Sequence, residues 1–130
     1  MIPQAWAEKK PHNVIKGEFT RKGQTDWAVL CSLNGFSSIL VFHNASEQDP
    51  SALAREADKD KVQDVGGGIT GYSRAISAVG RKFILDHYRA YGGPKPPVID
   101  HQGIDDAFVE KGSVVHYFHE GRWLQLTGAD

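Results

Sequence analysis

The chain has one cysteine, Cys31, and that scarcity removes two classes of protein. No disulfide can form within one chain, and a cysteine-based zinc site has no ligands to draw on. Charge of one sign is also lacking. The formal net charge at pH 7 is -1, and basic runs stop at dipeptides such as Lys9-Lys10 and Arg21-Lys22. A surface without a basic stripe has no general attraction to a phosphate backbone, so no nucleic-acid partner is expected. No apolar run approaches the ~20 residues that span a bilayer, and no membrane insertion is expected. The opening MIPQAWAEKKPHN has no basic leader followed by an apolar core and does not read as an export signal. No serine stands in a G-x-S-x-G context, which leaves acyl transfer without its usual nucleophile.

What is present suits one packed domain over residues 1–130, with 1–12 expected to be a loosely ordered lead-in. Six phenylalanines, four tyrosines and three tryptophans stand among 130 residues, 40% of them hydrophobic. A chain of this length buries roughly two thirds of its unfolded surface, enough for a core.

The pattern along the chain predicts strands at both ends. A short strand is expected over 14–19. The run WAVLCSL is apolar on both faces and reads as a central strand, with Cys31 a buried structural thiol. Asn34-Gly35 is a tight-turn pair, and SSILVFHN follows as a third, antiparallel strand, giving a meander over 14–44. Asp49-Pro50 then pairs a helix cap with a first-turn proline, predicting a short peripheral helix in SALAREADKDK. DVGGGITGYSRAISAVG lacks periodicity and is expected to be a long ordered loop. A better helix is predicted over 81–91, with Ile84, Leu85, Tyr88 and Tyr91 on one stripe. PKPPVIDH is expected to cross the surface extended. The final segment predicts a hairpin turning at Glu120-Gly121, which pairs His119 with Arg122 and Phe118 with Trp123. Val115, Tyr117, Leu124 and Leu126 then share the core face, and His116, Phe118, Trp123 and Gln125 the other. Together these predict an α+β fold: a twisted, mainly antiparallel sheet, made of the meander and the hairpin, with one or two helices packed on it.

One stretch carries a resemblance. GEFTRKGQTDWAVL, residues 17–30, follows the pattern G-x-F-x-x-x-G-x-x-D-x-A-V-L and resembles the FG-GAP or VCBS-type repeat. That resemblance implies a calcium loop whose oxygen ligands fall on Glu18, Thr20, Lys22, Gln24 and Asp26, leading into a propeller-blade strand. More loosely, the chain resembles small bacterial proteins that carry one such motif and are often exported. The motif covers about a tenth of the chain and occurs once, whereas a propeller needs several blades. Alternate residues of a tight loop suit calcium, which takes six to eight oxygens, but Lys22 sets an ammonium among them and Thr20 is neutral. Three readings stand: a plain turn, a Lys22 ammonium bridging Glu18 and Asp26 in place of the ion, and a weak calcium site. The plain turn is the expectation, so neither metal nor cofactor is expected.

GGGITG, residues 66–71, satisfies G-x-G-x-x-G, but DKDKVQD before it is no buried strand, and the dinucleotide reading fails. A glycine loop bordering a ligand site remains. The densest polar cluster is IDHQGIDDAFVE, with Asp100, His101, Asp105, Asp106 and Glu110. An imidazole among carboxylates suits acid or base chemistry, a divalent cation or a non-catalytic ligand contact; the bland reading, and the expectation, is a capped turn with solvated neighbours. His116 and His119, three apart on one strand, face opposite sides and do not chelate one ion together. Trp123, Phe118 and Trp27 are expected to supply an aromatic sheet face, either covered by the 81–91 helix or open to a ligand. The sequence therefore predicts a small non-catalytic module that binds a protein or small ligand, with oligomerisation open. The alternative is a small hydrolase working through residues 100–110.

Overall fold

The computed structural model describes residues 14–64, 70–109 and 111–129. Residues 1–12, Glu110 and positions 66–69 of the glycine segment lie outside the described residues. The chain forms β1 (Val14–Gly17), β2 (Asp26–Leu33), β3 (Phe36–Phe42), β4 (Ser51–Ala57), β5 (Val62–Asp64), β6 (Thr70–Tyr72) and β7 (Arg74–Val79). Then follow α1 (Arg81–Tyr91), β8 (Gly103–Phe108), β9 (Gly112–His119) and β10 (Arg122–Thr127). Two four-stranded antiparallel sheets result, in the orders β1-β2-β3-β4 and β10-β9-β8-β7, with β5 and β6 as a separate pair.

This corrects the expected α+β fold, a single sheet with one or two helices on it. SALAREADKDK is not a helix: its first seven residues are β4, pairing with β3, and a 3₁₀ turn over Asp58–Lys61 follows. Pairing with an open sheet edge outweighs the helix propensity of Ala, Leu, Arg and Glu, since propensity is worth only tenths of a kcal/mol per residue. The expected loop after Asp64 is corrected as well, because Thr70–Tyr72 forms β6 and Arg74–Val79 forms β7. The polar IDHQGIDDAFVE also contains an inner strand, β8. Arg74, Asp105 and Asp106 hid these strands by standing at buried positions where apolar residues signal a core.

The meander and the final hairpin take the expected pairings, but in different sheets. Asn34 and Gly35 adopt φ of 53° and 80°, Glu120 and Gly121 φ of 51° and 82°, the left-handed pair that a two-residue hairpin requires. His119 faces Arg122, Phe118 faces Trp123 and Tyr117 faces Leu124. One face of the second sheet, with Val79, Val115, Tyr117 and Leu126, packs against Ile84 and Phe83 of α1 and against Ile99. Its other face sends Ile76, Ile104 and Trp123 into a core shared with Phe19, Ala28, Leu30, Ile39 and Val41 of the N-terminal half. The layers are thus sheet, sheet, helix. Trp123 and Phe118, ring centroids 5.2 Å apart, lie on the face between the sheets, not under the helix. Trp27 faces outward on the first sheet, 39% exposed. Cys31 is half-buried on that same outward side, not a core thiol. In α1 the sheet-facing side runs through Phe83 and Ile84, while Tyr91, assigned to the core stripe by spacing, is 53% exposed. No helix among the described residues is long and apolar enough to cross a membrane.

Candidate functional site

The first candidate, the calcium-like turn between β1 and β2, is held by Asp26. Its carboxylate is fully buried and takes five donors. Oδ2 accepts from the amides of Phe19 and Thr20 at 3.1 Å each and from Thr20 Oγ1 at 3.0 Å. Oδ1 accepts from Gln24 Nε2 at 2.8 Å and the Asn44 amide at 2.7 Å. Burial opposes its ionisation, but the Asn44 amide, Gln24 and Thr20 outweigh burial and hold the carboxyl below its ordinary range. Glu18 turns its carboxylate to the Gly23 amide, and Lys22 is exposed with no ion pair to Glu18 or Asp26 among the described residues. These residues do not fit a calcium ion. Every Asp26 lone-pair direction is directed at a protein donor, and it is Gln24, not Lys22, that closes the turn.

The second candidate, the cluster at 100–110, is divided. Asp100 and His101 border a groove of about 500 Å³ with Glu18, Lys22, Arg81, Ile99 and Gln102. Their polar atoms are engaged locally. Asp100 Oδ1 accepts from the Tyr117 hydroxyl at 3.2 Å, and the His101 ring stacks on Tyr117 at 4.2 Å. The two His101 nitrogens lie 2.8 Å from the carbonyls of Gln102 and Phe118. The Glu18 and Gln102 backbones bridge the turn to this segment, with the Gln102 amide donating to the Glu18 carbonyl at 2.8 Å. Asp105 and Asp106, adjacent on β8, face opposite sides. Asp105 points to the helix side, 9% exposed, with Oδ1 lacking any hydrogen-bond partner. Burial pushes its carboxyl above the ordinary range, against a hydrogen bond from Ser113 and with the neighbouring Asp106 charge adding to the rise. Glu110 lies outside the described residues. Of the four described members, the structure therefore brings together only Asp100 and His101.

Asp106 instead reaches the space between the sheets and meets two residues that sequence reasoning did not connect to it. Arg74 on β7 is fully buried, and its fork grips Asp106 through Nε to Oδ1 at 2.9 Å and Nη2 to Oδ2 at 2.8 Å. The guanidinium also donates to the carbonyls of Ser37 at 3.1 Å and Ala54 at 2.7 Å. Those carbonyls flank a β-bulge, where the β3–β4 register shifts between Ser37 and Ile39 and Ala54 takes φ of 57°. Arg74 thus supplies donors to an irregular stretch of backbone, and Asp106 neutralises Arg74. From β9, His116 Nε2 donates to Asp106 Oδ2 at 2.9 Å. Burial opposes the charge on Asp106, but the Arg74 and His116 hydrogen bonds and charges prevail, lowering its pKa to about 2.

This network floors a cleft of about 470 Å³ between the sheets. Its walls are Ala54 and Glu56 from β4, Phe108 from β8, Val114 and His116 from β9 and Gln125 from β10, with Lys111 at the β8–β9 turn. When the imidazole is neutral, an ionised Asp106 keeps its proton on Nε2, and Nδ1 then offers a lone pair. Among the described residues no protein group bonds that Nδ1. The signal available in the sequence was parity. Once β8 and β9 are paired with Ile104 opposite His116, Asp106 and His116 fall on one face, two residues offset. The polar look of β8 concealed the pairing.

Fold and cleft together define a class in structural terms: an antiparallel two-sheet protein, a helix on one outer face, a polar cleft between the sheets. No protein-family model, no curated protein and no solved structure matches the chain. Among the described residues no group of three or more His, Cys, Asp or Glu side chains is placed to hold a metal ion.

Proposed function

We propose that the protein is a small non-catalytic binding module whose ligand occupies the cleft between the sheets. One observation carries the reading: His116 lines the cleft with one ring nitrogen fixed by Asp106 and the other without a protein partner among the described residues. The core does not need that second nitrogen. A volume of about 470 Å³ falls among the sizes of small-molecule sites. Apolar walls from Phe108 and Val114 favour a compact organic ligand, with a donor for His116 and an acceptor for Lys111 or Gln125. The alternative reading, a small hydrolase, draws on the same His116–Asp106 pair, an arrangement suited to a general base. Of the described residues at 100–110 assigned to that chemistry, only Asp106 borders this pair's cleft beside His116.

A screen of small polar molecules against ¹⁵N-labelled protein tests the proposal. Ligands are expected to shift the amides of Ala54, Glu56, Val114, His116 and Gln125. His116→Gln keeps a donor for Asp106 while removing the ring acceptor, and is expected to weaken binding about tenfold with the fold intact, the order of one hydrogen bond. Ligands that map elsewhere, or bind the variant unchanged, would refute the cleft. Turnover of a bound ester that disappears in His116→Gln would favour the hydrolase.

A further inference from the structure

The outer face of the first sheet is made of the wrong residues for water. An antiparallel sheet packed on one side shows polar side chains on the other. Here Val14, Val29, Leu40 and Ala52 form one cross-strand row on the side away from the core. Trp27 pairs with Phe42 in the next row, and Leu33 with Phe36 at the far end. Val14, Leu33 and Phe36 are exposed by 44, 74 and 38%. Both core clusters lie on other surfaces, and α1 packs on the second sheet. Contiguous apolar surface of this kind marks interaction sites.

Its charges are of one sign. Lys16 lies over the Trp27 ring at 5.9 Å, and Arg55 over the Phe36 ring at 3.9 Å. Lys16 stands on β1 at one end of the face and Arg55 on β4 at the other, so the cations mark a diagonal. No outward position of the four strands is Asp or Glu: Asp26 is buried in the turn, and Glu56 pairs with the buried Ser37 and borders the cleft.

We propose that this face docks an amphipathic helix of a partner protein, apolar along one stripe and acidic towards both ends. Size favours one helix over a globular partner. Strands of seven or eight residues and three inter-strand spacings give a face of roughly 25 by 15 Å. That is about 400 Å², against about 800 Å² per partner for a standard interface, and matches a helix of about 16 residues laid across it. Charge argues against a second copy of this chain, since self-pairing brings Lys16 and Arg55 to a face with no acid to receive them. An acidic helix meets both cations at its ends.

The probe is a synthetic helical peptide with a leucine stripe and glutamates at both ends, compared with its lysine counterpart by calorimetry and ¹⁵N spectra of the full chain. The glutamate peptide is expected to shift the outward residues of β1 to β4 and to bind at least about tenfold tighter than the lysine peptide. The doubly reversed variant Lys16→Glu with Arg55→Glu is expected to invert that preference. Equal affinity for the two peptides by the wild-type chain overturns the proposal without any variant. So do shifts confined to other surfaces, or a dimer formed through this face in sedimentation. Contacts from residues 1–12 to Leu40 in the peptide-free protein, or binding to phosphatidylserine vesicles but to neither peptide, overturn it too.

Discussion

Asp105 holds a carboxyl at the boundary between the second sheet and the helix, where one of its oxygens has no donor. A group whose folded pKa is raised costs the fold nothing below its unfolded pKa, where both states carry the proton. The penalty grows as pH rises through the folded value and then stays. Asp105→Asn removes that penalty, so it is expected to raise stability to urea at pH 7 by about 1 kcal/mol, the scale of one desolvated polar group. The gain should shrink towards zero below pH 4; an equal gain at both pH values would show that charge is not the cause. The polar residues at 100–110 were visible in the sequence as a group, but what each does was not. Asp105 and Asp106 are neighbours in sequence yet face opposite sides of β8, one spent against the helix and the other gripping Arg74. Only pairing partners distinguish them, and Arg74 lies 32 residues away.

Hairpins were the legible elements because their information is local. Asn34-Gly35 specifies its own turn, and the alternation through β9 and β10 specifies its own register. Glu120-Gly121 makes the same turn with a poorer first residue, since Glu120 holds φ of 51° with no special tolerance for it. Glu120→Asn is expected to stabilise the protein by about 0.5–1 kcal/mol in thermal or urea unfolding, because asparagine enters that region more readily. A loss of stability would mean the Glu120 side chain contributes more than its contact with His119 at 3.7 Å indicates. The elements read wrongly, β4, β7 and β8, were hidden by their residues: β4 is built of helix formers, and β7 and β8 carry charged groups inward, with β7 pairing to β8 across the long 80–102 connection. A buried arginine at the start of β7 looks like a loop residue until the bulge carbonyls that accept its hydrogen bonds are in place.

Across the whole molecule, acid is the condition that should undo the packing of sheet on sheet. Asp106 is depressed to about 2 from an ordinary 3.8, and Asp26 is also lowered. Stability from such groups is fully present above the ordinary carboxylate range and is lost as pH falls through the folded value. Unfolding free energy is therefore expected to fall by about 2 kcal/mol between pH 5 and 2 on account of Asp106 alone. Asp106→Asn should flatten that slope while lowering stability at neutral pH by about 3 kcal/mol, because it breaks the two-pronged carboxylate grip on buried Arg74 and leaves the partly exposed Glu56, 3.5 Å away, as the remaining counter-charge. A variant that keeps the wild-type slope would place the acid sensitivity elsewhere. The strand order carries a further consequence. Each four-stranded sheet is drawn from its own continuous stretch of chain, one ending at Ala57 and the other beginning at Arg74. In the first sheet neighbouring strands are joined by short loops, whereas β7 and β8 of the second are joined through the 80–102 segment that carries α1, so loop closure costs less in the first sheet than in the second. Arg74 bonds Asp106 in its own sheet and the Ser37 and Ala54 carbonyls in the other, so its guanidinium can shed its water without loss only when the two halves meet.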